Sequence, residues 1–420
     1  MHAHAAPTHP ARPQPSRLAD RWTLDPSVVF LNHGSFGATP RAVLDAQSLT
    51  RARMEAEPVR FFVEAYDALM DRARHALAGF LHADPHGLVP VANATTGVAT
   101  ALHQCGLGPG DEILVNDHEY PACLNNARRV ASRVGASVVH ASVPFPVASA
   151  DEIVRGVLDA VTPRTKVALL SHVTSPTGLV LPVDRLIPEL HARGVMTLVD
   201  GAHAPGFIPG LNLTSLSPTF YTANCHKWVC SPKGSAFLYI DASRRDTFRP
   251  LVLSNFAERP KPGRPRLWTE FDYVGTNDMS AWMAIPDALD AMGGLLPGGW
   301  PALIEHNRAL ARRARTILCA ALGFEPPAPE SLIGCTASIE LPGPSPSRDP
   351  ERWARLAARP TRYADALQDT LISNWGIQVP VWPTLGKRLL RVSAQAYNTE
   401  AQYEYLAAAL SHELNAEARL

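Results

Sequence analysis

Val195-Met-Thr-Leu-Val-Asp200-Gly-Ala-His203 is the most informative segment of the sequence. Its first six residues form a short apolar run that ends in the carboxylate of Asp200. Continuous apolar runs of this length are typical of strands that a parallel sheet buries on both faces. An acid at the carboxyl end of such a strand faces the crevice in which open α/β sheets bind ligands. The segment therefore predicts a buried parallel strand that presents a polar group to a ligand site.

Similar apolar runs alternate with helical patterns on either side of this segment. Strands are predicted at 87–91, 112–116, 136–140, 166–171 and 195–200, and helices at 60–80, 150–160 and 183–193. After residue 295 the order changes, with helices predicted at 301–322 and 363–375, strands at 336–341 and 388–393, and a terminal helix from 399. We therefore expect an α/β fold, with a large domain whose mainly parallel sheet lies between helices and a small C-terminal α+β domain.

The length of 420 residues is too great for one compact core, so the chain is expected to divide into domains. Residues 1–20 are expected to form a flexible tail, because they lack both the apolar core of a signal peptide and the composition to fold. Residues 21–50 are expected to pack on the small domain and on the active site. The large domain then covers 51–294 and the small domain covers 295–420.

Composition excludes several classes of partner. The 39 basic and 39 acidic side chains cancel, so no global field draws the protein to nucleic acid or to an anionic membrane. No run of about 18 apolar residues is present, so no membrane span is expected. The six cysteines have neither zinc-site nor disulfide-scaffold spacing, which favours reduced thiols in a cytoplasmic protein. No metal site is expected.

Two features have more than one interpretation when only the residues are considered. Asp200 and Lys227, which lies in a loop flanked by Gly, Ser and Pro, could serve a ligand or could form a plain ion pair. Thr95 and Thr96 precede a helix that is predicted to begin near Gly97. These two hydroxyls could bind an anion at the helix N-terminus or could simply cap the helix.

Eight motifs occur in one order between about residues 25 and 410. They are Leu31-Asn-His-Gly-Ser-Phe-Gly37, Asn93-Ala-Thr-Thr-Gly97, Asp117-His-Glu-Tyr-Pro-Ala122, Ser171-His-Val-Thr-Ser-Pro-Thr-Gly178, Asp200-Gly-Ala-His203, Cys225-His-Lys-Trp228, Gly275-Thr276 and Arg391-Val-Ser-Ala-Gln-Ala-Tyr-Asn-Thr399. Together they resemble the class V aminotransferase family of fold-type I pyridoxal 5'-phosphate (PLP) enzymes. Within that family they look most like the isopenicillin N epimerase-like branch.

The resemblance implies a cofactor site. Lys227 is implied to hold PLP as a Schiff base. Asp200 is implied to keep the pyridine nitrogen protonated, since an adjacent carboxylate favours that charged form. His203 is similar to the position that hydrogen-bonds the phenolic oxygen of the ring, and Tyr120 is similar to the aromatic position stacked on the ring. Ser175 stands where the family has a cofactor-facing asparagine.

The same resemblance implies which residues bind the phosphate. The expected phosphate ligands within the chain are Thr95, Thr96, Asn224 and His226. Thr276 is implied to come from a second subunit, which would make the active site a property of a homodimer.

An amino-acid substrate is expected. Arg391 is implied to bind its α-carboxylate, because a guanidinium fork fits a carboxylate bidentately. Arg388 lies three residues earlier and is expected to point to the opposite face of the strand. Asn32 and His33 are expected to line the substrate side of the site.

The branch resemblance favours an epimerase acting at the α-carbon of an amino-acid substrate, with Lys227 as the base and Tyr120 as a candidate second acid/base group. The alternative is a PLP-dependent C–S lyase acting on a cysteine conjugate or sulfoxide, and an aminotransferase ranks third. Cysteine desulfurases of the family carry a nucleophilic cysteine on a loop that here spans 375–386 and contains none, so that activity is rejected. A PLP-binding sensor is disfavoured, because Lys227 is present and no DNA-binding module is added.

Overall fold

The computed structural model describes residues 10–259 and 261–419 of the chain. Residues 1–9, the first part of the predicted tail, lie outside the described residues. The chain then forms a 3-10 helix at Arg17–Arg21, whose N-cap is the side chain of Ser16. Within the described ranges, no helix is both long enough and apolar enough to cross a membrane.

The strands of the described residues form three sheets. They are β1 (Val29–Phe30), β2 (Leu88–Val91), β3 (Glu112–Asn116), β4 (Ser137–Ala141), β5 (Thr165–Ser171), β6 (Met196–Asp200), β7 (Phe220–Asn224), β8 (Ala236–Ile240), β9 (Thr336–Glu340), β10 (Ile377–Gln378), β11 (Val381–Thr384) and β12 (Lys387–Ser393).

Helices precede, connect and follow these strands. They are α1 (His33–Phe36), α2 (Arg41–Ala56), α3 (Pro58–Arg60), α4 (Tyr66–Leu81), α5 (Ala94–His103), α6 (Pro121–Val134), α7 (Ala150–Asp159), α8 (Val183–Ala192), α9 (Leu213–Leu216), α10 (Arg266–Asp272), α11 (Ser280–Met283), α12 (Ile285–Gly293), α13 (Gly299–Leu322), α14 (Pro350–Ala357), α15 (Ala366–Trp375) and α16 (Glu400–Glu417).

The central sheet has the strand order β2-β8-β7-β6-β5-β3-β4. The five strands from β3 to β7 are parallel, whereas β8 pairs antiparallel with β7 and β2 pairs antiparallel with β8. Every residue of β3, β6 and β7 is buried, as continuous apolar runs in a covered sheet require. The predicted α/β fold with a mainly parallel sheet between helices is confirmed.

Two apolar layers enclose the central sheet. Leu114 of β3 packs with residues of α4, α7, α8 and α12 on one face. Its neighbours Ile113 and Val115 pack with residues of α5, α6 and α10 on the other face. Successive side chains of a strand point to opposite faces, so one short apolar run supplies both layers.

A smaller antiparallel sheet, with the order β11-β12-β9, lies in the C-terminal part of the chain and packs with α13, α15 and α16. The N-terminal segment joins this part, since β1 pairs in parallel with β10 and Val29 lies opposite Ile377. The boundaries proposed above at residues 20, 50 and 294 remain predictions.

Two predicted helices differ from the observed ones. The single helix expected at 60–80 is interrupted by a π turn at Phe61–Ala65, where the rings of Phe61, Phe62 and Tyr66 pack on one another. The helix expected from residue 363 begins instead at Ala366, because the side chain of Asp365 accepts a hydrogen bond from the backbone N–H of Leu367 at 2.9 Å.

Candidate active site

A cavity of about 660 Å³ opens where β5, β6 and β7 end. The last residues of these strands, Ser171, Asp200 and Asn224, all line it. In the sheet, Asp200 lies in register with Ser171 on one side and with Thr222 on the other. The site therefore occupies the carboxyl edge of the sheet, where open α/β folds bind ligands.

Most of the predicted site residues meet in this cavity. Those that line it are Thr95, Thr96, Tyr120, Ser175, Asp200, His203, Asn224, His226 and Lys227. All of them except Asn224 belong to five separate motifs that span more than a hundred residues of sequence, and the sheet topology brings them together.

Lys227 lies on the loop that follows β7, and its Nζ is 3.1 Å from Nε2 of His203. Its backbone carbonyl accepts a hydrogen bond from Nε2–H of His33 at 2.9 Å, which fixes the loop. Burial and then the charge of Arg391 lower the pKa of Lys227 to about 8, although Asp200 acts in the opposite direction. The amine is therefore partly neutral near physiological pH, and a neutral lysine is a nucleophile.

The carboxylate of Asp200 is held by two donors. The backbone N–H of Ala202 donates to Oδ1 at 2.9 Å, and the thiol of Cys123 donates to Oδ2 at 3.2 Å. Burial raises the pKa of Asp200, while these donors and the charge of Lys227 act against that rise. A buried carboxylate of this kind is suited to a cationic partner in the cavity.

The contacts of His203 define its tautomer. The indole N–H of Trp228 donates to Nδ1 of His203 at 3.2 Å. Because an indole nitrogen only donates, Nδ1 is the acceptor. Burial, followed by the charge of Lys227, lowers the pKa of His203 well below its usual value. The neutral ring therefore carries its proton on Nε2, the atom next to Lys227.

The N-terminus of α5 contributes Thr95 and Thr96 to the cavity. The helix begins at Ala94, so these threonines lie inside its first turn rather than before it. The cap is Asn93, whose Oδ1 accepts the backbone N–H of Thr96 at 2.9 Å, so the capping interpretation of the threonines is wrong. A side chain at Gly97 would meet Oγ1 of Thr222 at 2.0 Å, so this close helix–strand contact requires glycine.

Two further polar residues support this helix end. Oδ1 of Asn224 accepts the backbone N–H of Ala94 at 2.8 Å, so Asn224 anchors the helix while it lines the cavity. Nδ1 of His226 bonds to the carbonyl of Ser235 at 3.1 Å, and burial lowers the pKa of His226 to about 4, which keeps the ring neutral. Together with the helix N-terminus, these groups form a site suited to an anion.

Arg391 lies on β12 and reaches the large domain. One guanidinium nitrogen donates to the carbonyl of Ser175 at 2.5 Å and another donates to Oγ of Ser35 at 3.1 Å. The guanidinium carbon lies 5.0 Å from the ring centroid of Trp382. Its Nε is buried and has no hydrogen-bond partner among the described residues. Burial lowers the pKa of Arg391 to about 10.

Arg388 has a different environment, as the strand geometry predicts. It forms buried ion pairs with Asp365 at 2.7 Å and with Glu417 at 2.6 Å. Both of its neighbours are carboxylates of the C-terminal part, so the Arg388 charge is already compensated. Arg391 is thus the arginine of this strand that remains available for an anionic ligand.

Besides Arg391, which touches the lining residues Ser175 and Ser35 without lining the cavity itself, three predicted residues lie outside it. Nδ1 of His33 contacts the hydroxyl of Tyr397 at 2.8 Å, so the His33 ring lies behind the Lys227 loop. Oδ1 of Asn32 accepts the hydroxyl of Ser35 at 2.6 Å, and Ser35 is the residue that reaches the cavity. Thr276 is exposed, and its hydroxyl pairs with that of Tyr273 at 2.8 Å.

Some residues of the site had not been predicted. They are Ser35, Asn93, Glu119, Cys123 and Ser171. Glu119 directly precedes Tyr120 in a motif quoted above, but a buried carboxyl group has no local sequence signal. Ser171 ends a predicted strand, and its position at the sheet edge could have been used to find it.

Comparison with known proteins gives the family. Residues 29–327 match the family described as aminotransferase class-V. The chain is 37% identical over 402 residues to isopenicillin N epimerase of Amycolatopsis lactamdurans, covering 92% of this chain and 96% of that protein. It is 34% identical over 407 residues to isopenicillin N epimerase of Streptomyces clavuligerus, covering 93% and 96%.

A more distant relative and a solved structure add a second activity to the comparison. The chain is 27% identical over 417 residues to L-cysteine desulfhydrase of Arabidopsis thaliana, covering 91% of this chain and 87% of that protein. A cystine C–S lyase in complex with its product cysteine persulfide has the same fold, with a TM-score of 0.73 and 22% identity over 91% of this chain and 97% of that chain. The chain belongs to the class V aminotransferase family of PLP-dependent enzymes.

Proposed function

We propose that this enzyme is an epimerase that inverts the configuration of an amino-acid α-carbon, with isopenicillin N as the first substrate to test. The observation that carries the proposal is the identity of 37% and 34% to two isopenicillin N epimerases over more than nine-tenths of each chain. Similarity over more than nine-tenths of the chain extends beyond residues 29–327, which the family model matches.

The cavity residues fit PLP. When bound, PLP supplies an electron sink that makes the α-hydrogen of an attached amino acid acidic. Nζ of Lys227 would hold the cofactor covalently, the carboxylate of Asp200 would face its ring nitrogen, and Nε2–H of His203 would donate to the phenolic oxygen. The residues that would hold the phosphate at the N-terminus of α5 are Thr95, Thr96 and His226. A buried amine, a buried carboxylate and an anion site lie in this one cavity, and together they match the aldehyde, the ring nitrogen and the phosphate of PLP.

Inversion requires two groups that move protons at opposite faces of the α-carbon. We assign Nζ of Lys227 as one of them, because its pKa of about 8 allows it to accept and return a proton near neutral pH. Tyr120 is the candidate for the other, since it lines the cavity and is 45% exposed. Arg391 would bind the α-carboxylate and so hold the α-carbon between them.

A C–S lyase acting on a cysteine derivative is the second candidate, because a desulfhydrase is among the relatives. It would use the same proton abstraction by Lys227. A persulfide-forming desulfurase is a poorer fit. All six cysteines lie in the described residues and are buried, and burial raises the pKa of every one of their thiols. Burial therefore disfavours, in each of them, the thiolate that such chemistry requires.

A homodimer is part of the proposal. Large apolar side chains that are exposed in the single chain would be covered by a second copy. They are Phe36, Val59, Val63, Leu251, Val252 and Leu253. Thr276 is also exposed and, in the proposed dimer, would complete the phosphate site of the partner subunit. Cytoplasmic location stays a prediction from the sequence.

The rate of cofactor binding is expected to depend on the protonation of Lys227. With a pKa of about 8, the neutral fraction of the amine grows about tenfold between pH 7 and pH 9 and then levels off. The association rate constant of PLP with the cofactor-free enzyme should follow that curve in stopped-flow absorbance. A rate that keeps rising to pH 10 would mean that Lys227 retains an ordinary pKa.

Proton NMR of isopenicillin N with the PLP-loaded enzyme in D₂O tests the proposed reaction. We expect the α-proton signal of the aminoadipyl group to disappear while the configuration of that carbon inverts. Release of pyruvate and ammonia from a cysteine conjugate, without exchange or inversion of isopenicillin N, would favour the lyase. Inversion without any deuterium incorporation would contradict the proton-transfer chemistry assigned to Lys227.

A further inference from the structure

A second buried carboxyl group lies beside Asp200. The nearest ligand-capable atoms of Glu119, Cys123 and Asp200 all lie within 4.8 Å of one another, and each of the three side chains is buried. Glu119 follows β3 and Asp200 ends β6, so the fold brings together residues 81 positions apart. Glu119 does not line the cavity and has no role in the cofactor contacts assigned above.

Neutral donors hold the Glu119 carboxyl in place. Oε2 accepts the hydroxyl of Ser171 at 2.9 Å and the side-chain amide of Asn116 at 3.2 Å. Oε1 accepts the backbone N–H of Tyr120 at 2.9 Å. Among the described residues Glu119 forms no salt bridge. It is therefore oriented by hydrogen bonds, while no cation compensates a charge on it.

Two buried carboxyl groups this close are not expected to be ionised together without a cation between them. Burial and then the charge of Asp200 raise the pKa of Glu119 to about 8. Burial also raises the pKa of Asp200. Hydrogen bonds favour the ionised form of both groups, from Ser171, Asn116 and Tyr120 on Glu119 and from Cys123 and Ala202 on Asp200. The charge of Lys227 additionally favours ionised Asp200, so the proton of the pair is better placed on Glu119.

We propose that Glu119 is a positioning residue that keeps the proton of the Glu119–Asp200 pair, so that Asp200 presents a full negative charge to the ring nitrogen of the cofactor. The role toward the cofactor rests on the function proposed above. The location of the proton does not, because it follows from contacts within the chain. Glu119 also accepts a hydrogen bond from the backbone N–H of Tyr120. It therefore links Asp200, proposed to face the ring nitrogen of the cofactor, with Tyr120 on the other side of the proposed site.

Other titratable groups around the pair do not replace Glu119 in this role. Cys123 is a donor to Asp200, and burial raises the pKa of its thiol. Tyr221 on β7 has a pKa raised well above its usual value by burial, and its hydroxyl bonds to His172 at 2.8 Å. His118 turns away and contacts the carbonyl of Val143 at 2.8 Å. Lys227 is the cation that faces Asp200 from the cavity side.

Difference infrared spectroscopy of the full-length enzyme tests the proposal, with PLP bound and again after PLP is removed. The C=O stretch of a protonated carboxylic acid is separate from the carboxylate bands. We expect wild type at pH 6.5 to have one such band that is lost in Glu119→Gln and kept in Glu270→Gln. Glu270 is an apt control, because it is equally buried but pairs with Arg249 and Arg266.

A second variant keeps the test decisive if Glu119→Gln does not fold. In Asp200→Asn the neighbouring negative charge is absent, so the Glu119 band should titrate away at a pH lower by ~1 unit or more than in wild type. Loss of the band in Asp200→Asn with retention in Glu119→Gln would place the proton on Asp200 and overturn the proposal. Absence of any band assignable to this pair in the cofactor-free enzyme would also overturn it, whatever reaction the enzyme catalyses.

Discussion

Lys227→Ala is expected to lower kcat/KM by about 10³-fold or more, because one substitution removes both the covalent hold on the cofactor and the proton-transferring group. Nζ of Lys227 lies in the cavity beside His203, and the lining residues offer no second lysine that could replace it. The measurement is steady-state kinetics with isopenicillin N and with cysteine conjugates, at saturating PLP.

Lys166→Ala is the matched control for this variant. Lys166 is exposed on β5 and its removal should leave kcat/KM within about twofold of wild type, as for most surface substitutions. Adding a primary amine to the Lys227→Ala enzyme should restore part of the rate if the missing function is proton transfer. Activity of Lys227→Ala close to that of wild type would refute the assignment.

Arg391→Met is expected to lower kcat/KM by about 10- to 10⁴-fold, mainly by raising KM. The guanidinium would make one or two charge-assisted hydrogen bonds to the substrate carboxylate, each worth about 1.5–3 kcal/mol. The carbonyl of Ser175 and the hydroxyl of Ser35 orient the guanidinium of Arg391. Its Nε has no hydrogen-bond partner among the described residues, so the group is oriented but not neutralised by a carboxylate.

The substrate amide provides the control for Arg391→Met. Wild type should discriminate strongly against a substrate whose α-carboxylate is replaced by an amide, whereas Arg391→Met should treat the two alike. Arg391→Lys should retain part of the discrimination, since lysine keeps the charge but loses the planar fork. Equal discrimination by wild type and Arg391→Met would show that another group binds the carboxylate.

The central strands could be predicted because each is a short apolar run that the fold buries on both faces. The runs at 112–116, 166–171 and 195–200 became β3, β5 and β6 with ends shifted by at most one residue. The local sequence pattern was not sufficient to predict elements that depend on contacts between distant residues. The π turn at Phe61–Ala65 depends on rings that pack only in the folded chain, and the two-residue strands β1 and β10 exist because they pair with each other across the molecule.

The candidate site was predictable where a motif residue lines the cavity and not where it supports another residue. Lys227, Asp200 and His203 line one cavity, while the roles toward a cofactor that the resemblance implies for them remain predictions. His33 belongs to an equally clear motif, yet its ring contacts the carbonyl of Lys227 instead of the cavity. Glu119 was missed because its significance comes from proximity to Asp200, which only the register of the sheet creates.

Borohydride reduction followed by peptide mapping tests the central claim most directly, namely that this cavity binds PLP through Lys227. The PLP-loaded enzyme is reduced to make the linkage permanent, digested and analysed by mass spectrometry beside the Lys227→Ala variant. The account predicts one reduced phosphopyridoxyl group, located on Lys227 and absent from the variant. A modification on another lysine, or none after loading with PLP, would contradict it.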